Sequence, residues 1–407
     1  MEGERIIVKN AKSKIIVYVV TIILSALYIG ILCSHFTDKL ELFQDNNDVV
    51  KAKITEIVST DEKEYQYGLN DKHIETIITF KAKAISGKEK NKTVTAKQQI
   101  SDIYAYSKKE VKKGKTVILK KVNYYDDADY LMTDYVRSDS LIILSIIFVI
   151  FLLIFGKIKG LNTIISLIFT CLAIFLVFIP AILSGGNIYF WSIITCIYII
   201  VMTLLLINNF SKKTICACIG CFLGIIATSL LTISMTKILD LTGLINEEAY
   251  YIQTIDTSSE FDLKAIIFGG IIIGAVGAIM DVAVSISASL LEVYEHAKKE
   301  DKNFKSLMKS GMIIGRDMMG TMSNTLVMAY IGNSLSTTLL LVVYSGSVIE
   351  LFNREMIIVE LLQILVGSFG LLLTIPFSSF ICSYAYTKFG GKHEKRNTKY
   401  KKLKTVQ

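Results

Sequence analysis

Long apolar runs limit what this sequence can fold into more than any other feature. A helix needs about 20 apolar residues to cross the ~30 Å hydrocarbon core of a bilayer. Hydrophobic residues make up 52% of the chain, with only two prolines, and they are gathered into runs of about that length. We predict eight spans: Ile15–Leu32, Ser140–Phe155, Leu161–Leu183, Ile188–Ile207, Thr214–Met235, Ala265–Leu291, Thr321–Tyr344 and Met356–Tyr384. The pattern therefore predicts an α-helical polytopic membrane protein with about eight transmembrane helices.

The placement of the basic residues predicts how these helices are oriented. Lys and Arg are concentrated before the first run, in alternate loops and in the carboxyl-terminal segment 385–407. Because cytoplasmic loops carry an excess of Lys and Arg, we expect both termini in the cytoplasm. The first run has no cleavage site after it and is interpreted as a signal anchor. Attraction to anionic lipid heads explains the basic tail, so no nucleic-acid partner is predicted.

The polar segment between the first two runs has a different periodicity. The stretches "VVKAKITEIV" and "HIETIITFKAKAI" alternate apolar and polar residues, which is typical of β-strands. We predict a small extracytoplasmic all-β domain, OB-like or lipoyl-like, inserted between the first and second helices. The predicted organisation is a cytoplasmic N-terminus and anchor (1–34), the β domain (35–139), a seven-helix membrane bundle (140–384) and a basic cytoplasmic tail (385–407).

One carboxylate, Asp281, interrupts the predicted sixth span. It shares a single helical stripe with Gly270, Gly274, Gly277, Ser285, Ala288 and Glu292. A charged side chain at the centre of a bilayer costs about 2.5–3.5 kcal/mol on insertion scales. We therefore expect Asp281 to face a partner helix or a water-filled cavity, and the glycines to allow close helix packing. Two roles stay open for Asp281: a functional group, or a buried hydrogen-bonding strut.

The block "KSGMIIGRDMMGTMSNTLVMAYIG" leads into the predicted seventh span with glycines and polar residues. Non-helical backbone at membrane depth is tolerated where it is buried in protein or lines a cavity. Interrupted helices also point to transport sites, so we expect Gly311–Gly320 to be a broken or re-entrant entry. Arg316 has two interpretations. It pairs with one of the carboxylates Asp317, Asp281 and Glu292, or it is a topology anchor at the inner face.

The stretch "GAVGAIMDVAVSISASLLEV" around Asp281, followed by "SGMIIGRDMMGTMSNTLVMAYIG", resembles the pair of signature blocks of the YibE/F-like family of bacterial multipass membrane proteins. The resemblance implies a location in the bacterial cytoplasmic membrane. It also implies transport or permeation as the activity, without a settled substrate. It also implies which positions here are motif positions: Asp281, Arg316, Asp317, Gly320, Thr321, Asn324 and Thr325.

We predict a membrane transporter or permease of unknown substrate, proton- or cation-coupled through the intramembrane carboxylate. The candidate substrate- or ion-coupling residues are Asp281, Ser285, Glu292, Arg316, Asp317, Thr321, Asn324 and Thr325, and the candidate close-packing glycines are Gly270, Gly274, Gly277 and Gly320. The alternative is an envelope-binding, assembly or signalling protein that uses the outer β domain. The expected partners are the lipid bilayer, a small solute or ion, and an envelope protein in the alternative case.

Catalytic and metal chemistry are not predicted. The sequence lacks a Gly-x-Ser-x-Gly elbow and an HExxH motif, and its four histidines fall outside the predicted spans. An aspartyl dyad of Asp281 and Asp317 is conceivable, but the sequence does not bring the two together. The cysteines from Cys216 to Cys221 have a spacing that could bind a soft metal, and we interpret them instead as small apolar helix residues. No cofactor is expected.

Overall fold

The computed structural model of the chain describes residues 2–36, 48–67, 71–101, 109–122, 129–254, 262–344 and 346–404. These residues are mostly helical, with a small β-barrel near the N-terminus. The chain divides into two compact units. One combines Met1–Leu40 with Gly156–Gln407, and the other is Glu41–Phe155.

The helices lie in both units. They are α1 (Glu2–Phe36), α2 (Ser138–Ala173), α3 (Ile179–Leu183), α4 (Ile188–Asn208), α5 (Lys212–Ile238), α6 (Glu247–Thr254), α7 (Leu263–His296), α8 (Phe304–Asn333), α9 (Leu335–Tyr344), α10 (Val348–Asn353) and α11 (Glu355–Lys404). A π-helical turn, Ile174–Phe178, joins α2 to α3. The helix α11 continues into the segment predicted as a basic tail.

Five strands form the barrel. They are β1 (Val49–Tyr67), β2 (Asp71–Ala84), β3 (Thr93–Ser101), β4 (Thr116–Lys121) and β5 (Tyr130–Tyr135). Their order around the closed barrel is β1-β2-β3-β5-β4, and the neighbouring pairs are antiparallel except for the parallel pair β3–β5. This barrel confirms the prediction of a small all-β domain. The domain could be predicted because alternation and turn residues are local properties of the sequence.

Alternate side chains of the strands fill the barrel core. In β3 every second residue from Val94 to Ile100 is buried, as a pleated strand with one face inward requires. Gln98 is the polar member of this row. Its Nε2 donates to Lys109 O at 2.9 Å and its Oε1 accepts from Val111 N at 2.8 Å. This side chain therefore holds the segment before β4 against the barrel.

The described helices include six that are long and apolar enough to cross a membrane, or up to seven if the bent pair α8 and α9 counts as one span. This bears out the helical part of the fold prediction at a coarser level than eight spans. The predicted second and third spans lie together in the 46-residue stretch Ser138–Leu183. Lys157 interrupts this stretch with φ 48° and ψ −126°, at the place where the two spans were expected to separate.

The antiparallel helices α5 and α11 pack closely along a row of small residues. Gly220 faces Ser378, Gly224 faces Thr374, and on the next turn the roles reverse, with Thr228 facing Gly370. A methyl group added at any of these three glycines would overlap the facing hydroxyl. Small residues of this kind let two helix backbones approach closely. We refer to this row as the closed interface.

The apolar face of α7 packs into the closed interface. Ile279 is fully buried, and its methyl groups would lie 3.1 Å from a Cβ added at Gly224 and 3.2 Å from one added at Gly370. At one end of the interface Ser287 Oγ donates to Lys213 O at 2.7 Å, and Tyr386 Oη donates to Ser287 O at 2.9 Å. The helices α5, α7 and α11 thus form the centre of the helical unit.

Candidate functional site

The Asp281 stripe lies on the exposed side of α7. Gly270, Gly274, Gly277, Asp281 and Glu292 are exposed and Ser285 is half-buried, whereas the Ile, Val and Leu residues of the opposite face are buried. The helical phase of the stripe was predicted correctly. Within the chain, however, the apolar face of α7 is the interior one, because it fills the space left by the glycines of α5 and α11.

The glycines of the stripe do not make the close contacts that were expected within this chain. In the described residues, a methyl group added at Gly270, Gly277 or Gly320 would meet no atom within 4 Å. At Gly274 it would lie 2.5 Å from Tyr330 Oη. Only Gly274 of the four therefore packs closely against a described neighbour, and the space beside the other three is open.

The helix α8 is continuous through the segment that was expected to be broken. Its side-chain cap is Asn303, whose Oδ1 accepts from Ser306 N at 2.8 Å. Gly311 and Gly315 are buried against Ser379 and Ile375 of α11, so these glycines permit helix contact rather than a break. The prediction of a re-entrant entry at Gly311–Gly320 was wrong.

The break in this region lies at the other end of α8. Between α8 and α9 the helix axis bends by 62°. The bend follows Asn333, and Ser334 Oγ there donates to Tyr330 O at 2.7 Å. A hydroxyl that bonds back to the preceding turn is a common companion of helix bending. Sequence inspection placed the interruption at glycines, but the structure places it at a buried serine.

The polar residues of α8 form an exposed face. This face comprises Arg316, Asp317, Gly320, Thr321, Asn324 and Thr325. Thr321 Oγ1 donates to Met318 O at 3.0 Å and Thr325 Oγ1 donates to Thr321 O at 2.9 Å. Both hydroxyls thereby keep their oxygen lone pairs available as neutral ligands.

The helices α7 and α8 are antiparallel neighbours. Leu290 lies against Gly311 at one end of their contact, and Gly274 lies against Tyr330 at the other. Interpolation between these two contacts places Asp281 level with the segment from Gly320 to Ser323. The Asp281 stripe and the polar face of α8 are therefore on adjacent helices at the same height, and we refer to them together as the polar surface.

The charges of the polar surface have no partner within the described chain. No ion pair within 4.0 Å between described residues involves Asp281, Glu292, Arg316 or Asp317. The pairing of Arg316 with any of the three acids is thus not formed in the described structure. The described residues also contain no group of three or more His, Cys, Asp or Glu side chains that could hold a metal ion.

Sequence inspection missed the buried polar cluster where α5, α7 and α11 meet. Ser287 and Tyr386 are buried there, with Ser287 Oγ and Tyr386 Oη 3.0 Å apart. Cys216 and Cys382 are buried in the same cluster of side chains. The spacing of Ser287 on the apolar face of α7 was the available signal, because a lone hydroxyl on a buried helix face needs a partner.

The helices and the polar surface together define the class of this protein. Several long apolar helices, with a small β-barrel between the first two, fit a multipass membrane protein. The chain belongs to the YibE/F-like family, since the family described as YibE/F-like protein matches residues 144–388. The match begins within α2 and ends within α11, so it includes the whole polar surface and leaves out the barrel. Comparisons with curated proteins and with solved structures gave no match.

Proposed function

We propose that the chain is an integral membrane transporter or permease, and that the polar surface contacts the solute or ion that moves. The observation that carries this proposal is Asp281, an exposed carboxylate in the middle of an apolar 34-residue helix without an ion-pair partner in the described chain. Hydrocarbon does not solvate a carboxylate, so such residues face bundle interiors or water-filled cavities. A water-filled path along the polar surface satisfies this requirement.

The length of the second helical stretch supports an eight-span arrangement for this transporter. A straight helix of 46 residues would be about 69 Å long, more than twice the ~30 Å hydrocarbon core. The distortion at Lys157 lies near the middle of the stretch and marks where the chain turns back. Counting two spans there and one in the bent pair gives eight, with both termini cytoplasmic and the barrel outside a bacterial cytoplasmic membrane.

The polar surface offers the groups that coupled transport needs. Asp281 can bind a proton or a cation, and the neutral oxygens of Thr321, Asn324 and Thr325 lie at about the same height on α8. Arg316 and Asp317 follow about one turn nearer the predicted cytoplasmic end, with Glu292 at that end of α7. The bend between α8 and α9 provides the interrupted helix that transport sites commonly use. The proposal assigns no catalytic chemistry to the chain.

The strut interpretation of Asp281 is less well supported. A strut joins two helices through hydrogen bonds, and none of the hydrogen bonds between described residues involves Asp281. Hydrogen bonds between helices are made instead by other polar side chains, such as Ser287 with Tyr386 between α7 and α11 and Ser166 with Thr203 between α2 and α4. We therefore assign structural hydrogen bonding to these side chains and the coupling role to Asp281.

The test is proton flux in liposomes that contain the purified full chain and a trapped pH-sensitive dye. Gradients of sodium, potassium or magnesium are imposed, and the internal pH is followed. We expect wild-type flux with at least one gradient, and a decrease of about tenfold or more for Asp281→Asn because the titrating group is gone. Asp240→Asn removes an exposed carboxylate after α5 and serves as the matched control. Equal flux in wild type and Asp281→Asn, at equal reconstitution, would overturn the coupling role.

The alternative function, an envelope-binding or signalling protein, draws on one observation in the barrel. Its strand order with the parallel β3–β5 pair favours the OB-like alternative over the lipoyl-like one, and OB-type barrels are binding modules. Flux that is abolished by a barrel-surface variant, but unaffected by Asp281→Asn, would favour this alternative.

A further inference from the structure

We propose that a basic groove on the barrel binds a phosphate-bearing anionic ligand. The groove has a volume of about 630 Å³, which is within the range of small-molecule sites. Its lining includes Lys53, Lys83, Lys90 and Lys113, with Ile85 beside them. These residues come from β1, β2, the β2–β3 turn and the segment before β4, all within one compact unit.

Two of the lysines are placed where folding alone disfavours them. Lys53 on β1 and Lys83 on β2 are direct cross-strand partners, and like charges directly opposite each other destabilise a sheet. Their neighbours on the same face are neutralised. Lys51 Nζ is 3.2 Å from Asp139 Oδ1, and Lys81 Nζ is 3.7 Å from Glu56 Oε2.

The described residues supply no such neutralising partner to the four groove lysines. Among the described residues, Lys53, Lys83, Lys90 and Lys113 take part in no ion pair within 4.0 Å. The nearest acid in sequence, Glu89, does not line the groove. Its charge instead helps to raise the pKa of Tyr130, after the larger effect of burial. The groove is therefore a concentration of uncompensated positive charge in a domain that carries charges of both signs.

The frame that holds these lysines is fixed by backbone hydrogen bonds. Asn91 N donates to Ala84 O at 2.8 Å on one side, and Gly114 N donates to Ile54 O at 2.9 Å on the other. Gly114 has φ +86°, a left-handed conformation that glycine adopts without strain. The two turns thus hold Lys90 and Lys113 beside the Lys53–Lys83 pair without depending on a ligand.

Phosphate groups are the ligand chemistry that fits this arrangement. Lysine binds phosphate as a point charge and needs no fixed bidentate geometry, so four ammonium groups in an open groove suit several phosphates or one mobile head group. Ile85 is 45% exposed in the same groove and offers an apolar contact. The ligand is supplied either by a lipid head group or by a soluble phosphate polymer, and the experiment separates these two sources.

The test measures binding to the purified full chain in uncharged detergent by titration calorimetry. The probes are inorganic polyphosphate, short-chain phosphatidylglycerol, and phosphatidylcholine of the same chain length as the neutral control. Lys53→Gln/Lys83→Gln is compared with Lys120→Gln/Lys121→Gln, which removes the same charge from exposed positions of β4 outside the groove. We expect the groove variant to bind about 10- to 30-fold more weakly, and the β4 variant to bind like wild type.

Each outcome decides the proposal. If the groove variant loses binding of phosphatidylglycerol, the ligand is a lipid head group. If it loses binding of polyphosphate, the ligand is a soluble polymer. Equal losses in the two double variants would show attraction to net charge alone and would overturn the site. Absence of binding to both anionic probes at low salt, where such attraction is least screened, would also overturn it. Thermal unfolding of the groove variant at or above the wild-type temperature verifies that the barrel is intact, since removing two opposed like charges does not weaken the sheet.

Discussion

Two rows of small residues, each along one face of a helix, differ in how closely they are packed. In the closed interface, Ser378 and Thr374 of α11 occupy the space beside Gly220 and Gly224 of α5. On α7, Gly270 and Gly277 face open space beside an exposed carboxylate. The difference is in the partner, because α11 supplies a hydroxyl opposite each of these α5 glycines, whereas on the outer face of α7 only Gly274 meets a described one, the Tyr330 hydroxyl of α8. Small-residue spacing alone therefore does not distinguish helix packing from a polar path.

The largest expected effect comes from adding a side chain to each row. Gly224→Val would drive its methyl groups into Thr374 and Ile279, because even a Cβ added at Gly224 would crowd both of these side chains. Overpacking of this kind typically costs about 1–3 kcal/mol, and we expect the upper end because buried side chains crowd the site from both α11 and α7. At Gly277 an added Cβ would have no described atom within 4 Å, so we expect Gly277→Val to leave stability unchanged. Thermal unfolding of both variants in detergent checks the pair.

The same pair of variants can also break the comparison. If Gly277→Val is as destabilising as Gly224→Val, the open face of α7 is packed against something outside the described residues. A stable Gly277→Val protein that has lost flux would instead sharpen the comparison, since it would place the open row in the transport path.

A smaller effect is expected where hydroxyls fasten one end of the closed interface. Tyr386→Phe removes the donor to Ser287 O and leaves a buried carbonyl with one partner fewer. A typical intramolecular hydrogen bond contributes about 0.5–1.5 kcal/mol to stability, so we expect a loss of about 1 kcal/mol. Tyr384→Phe, on the same helix but 47% exposed, is the matched control and should unfold like wild type. Equal stability of all three proteins would show that the cluster does not fasten these helices.

The parts of this architecture that depend on local sequence patterns could be predicted from the sequence. The period of two in β1 and β2, and the helical phase that joins Asp281 to Gly274, are local patterns and were predicted correctly. Which face of α7 turns inward depends on how Ile279 fits between Gly224 and Gly370, two residues far away in the chain. A helical period gives the phase of a stripe but does not reveal its partner.

The same limit explains the error at the start of α8. Glycine weakens helices in water by about 1 kcal/mol relative to alanine, which favoured a break between Gly311 and Gly320. Ser379 and Ile375 of α11 occupy the space beside Gly311 and Gly315, and this packing stabilises the helix there. The basic groove was likewise hidden, because Lys53 and Lys83 become neighbours only when β1 and β2 pair.

The smallest expected effect is a gain in stability on the open row. Gly270 lies within α7 and no described atom would contact an added methyl group, so Gly270→Ala removes backbone freedom from the unfolded chain without a clash. Such replacements stabilise by about 0.4–1 kcal/mol when the native backbone suits alanine. Gly220→Ala, where the methyl group would overlap Ser378 Oγ, should destabilise instead. Both changes in stability are measured by thermal unfolding. Opposite signs for Gly220→Ala and Gly270→Ala would establish that α5 is closely packed at its glycine row and that α7 is not. A loss of stability in Gly270→Ala would mean that something outside the described residues covers the polar surface at that height.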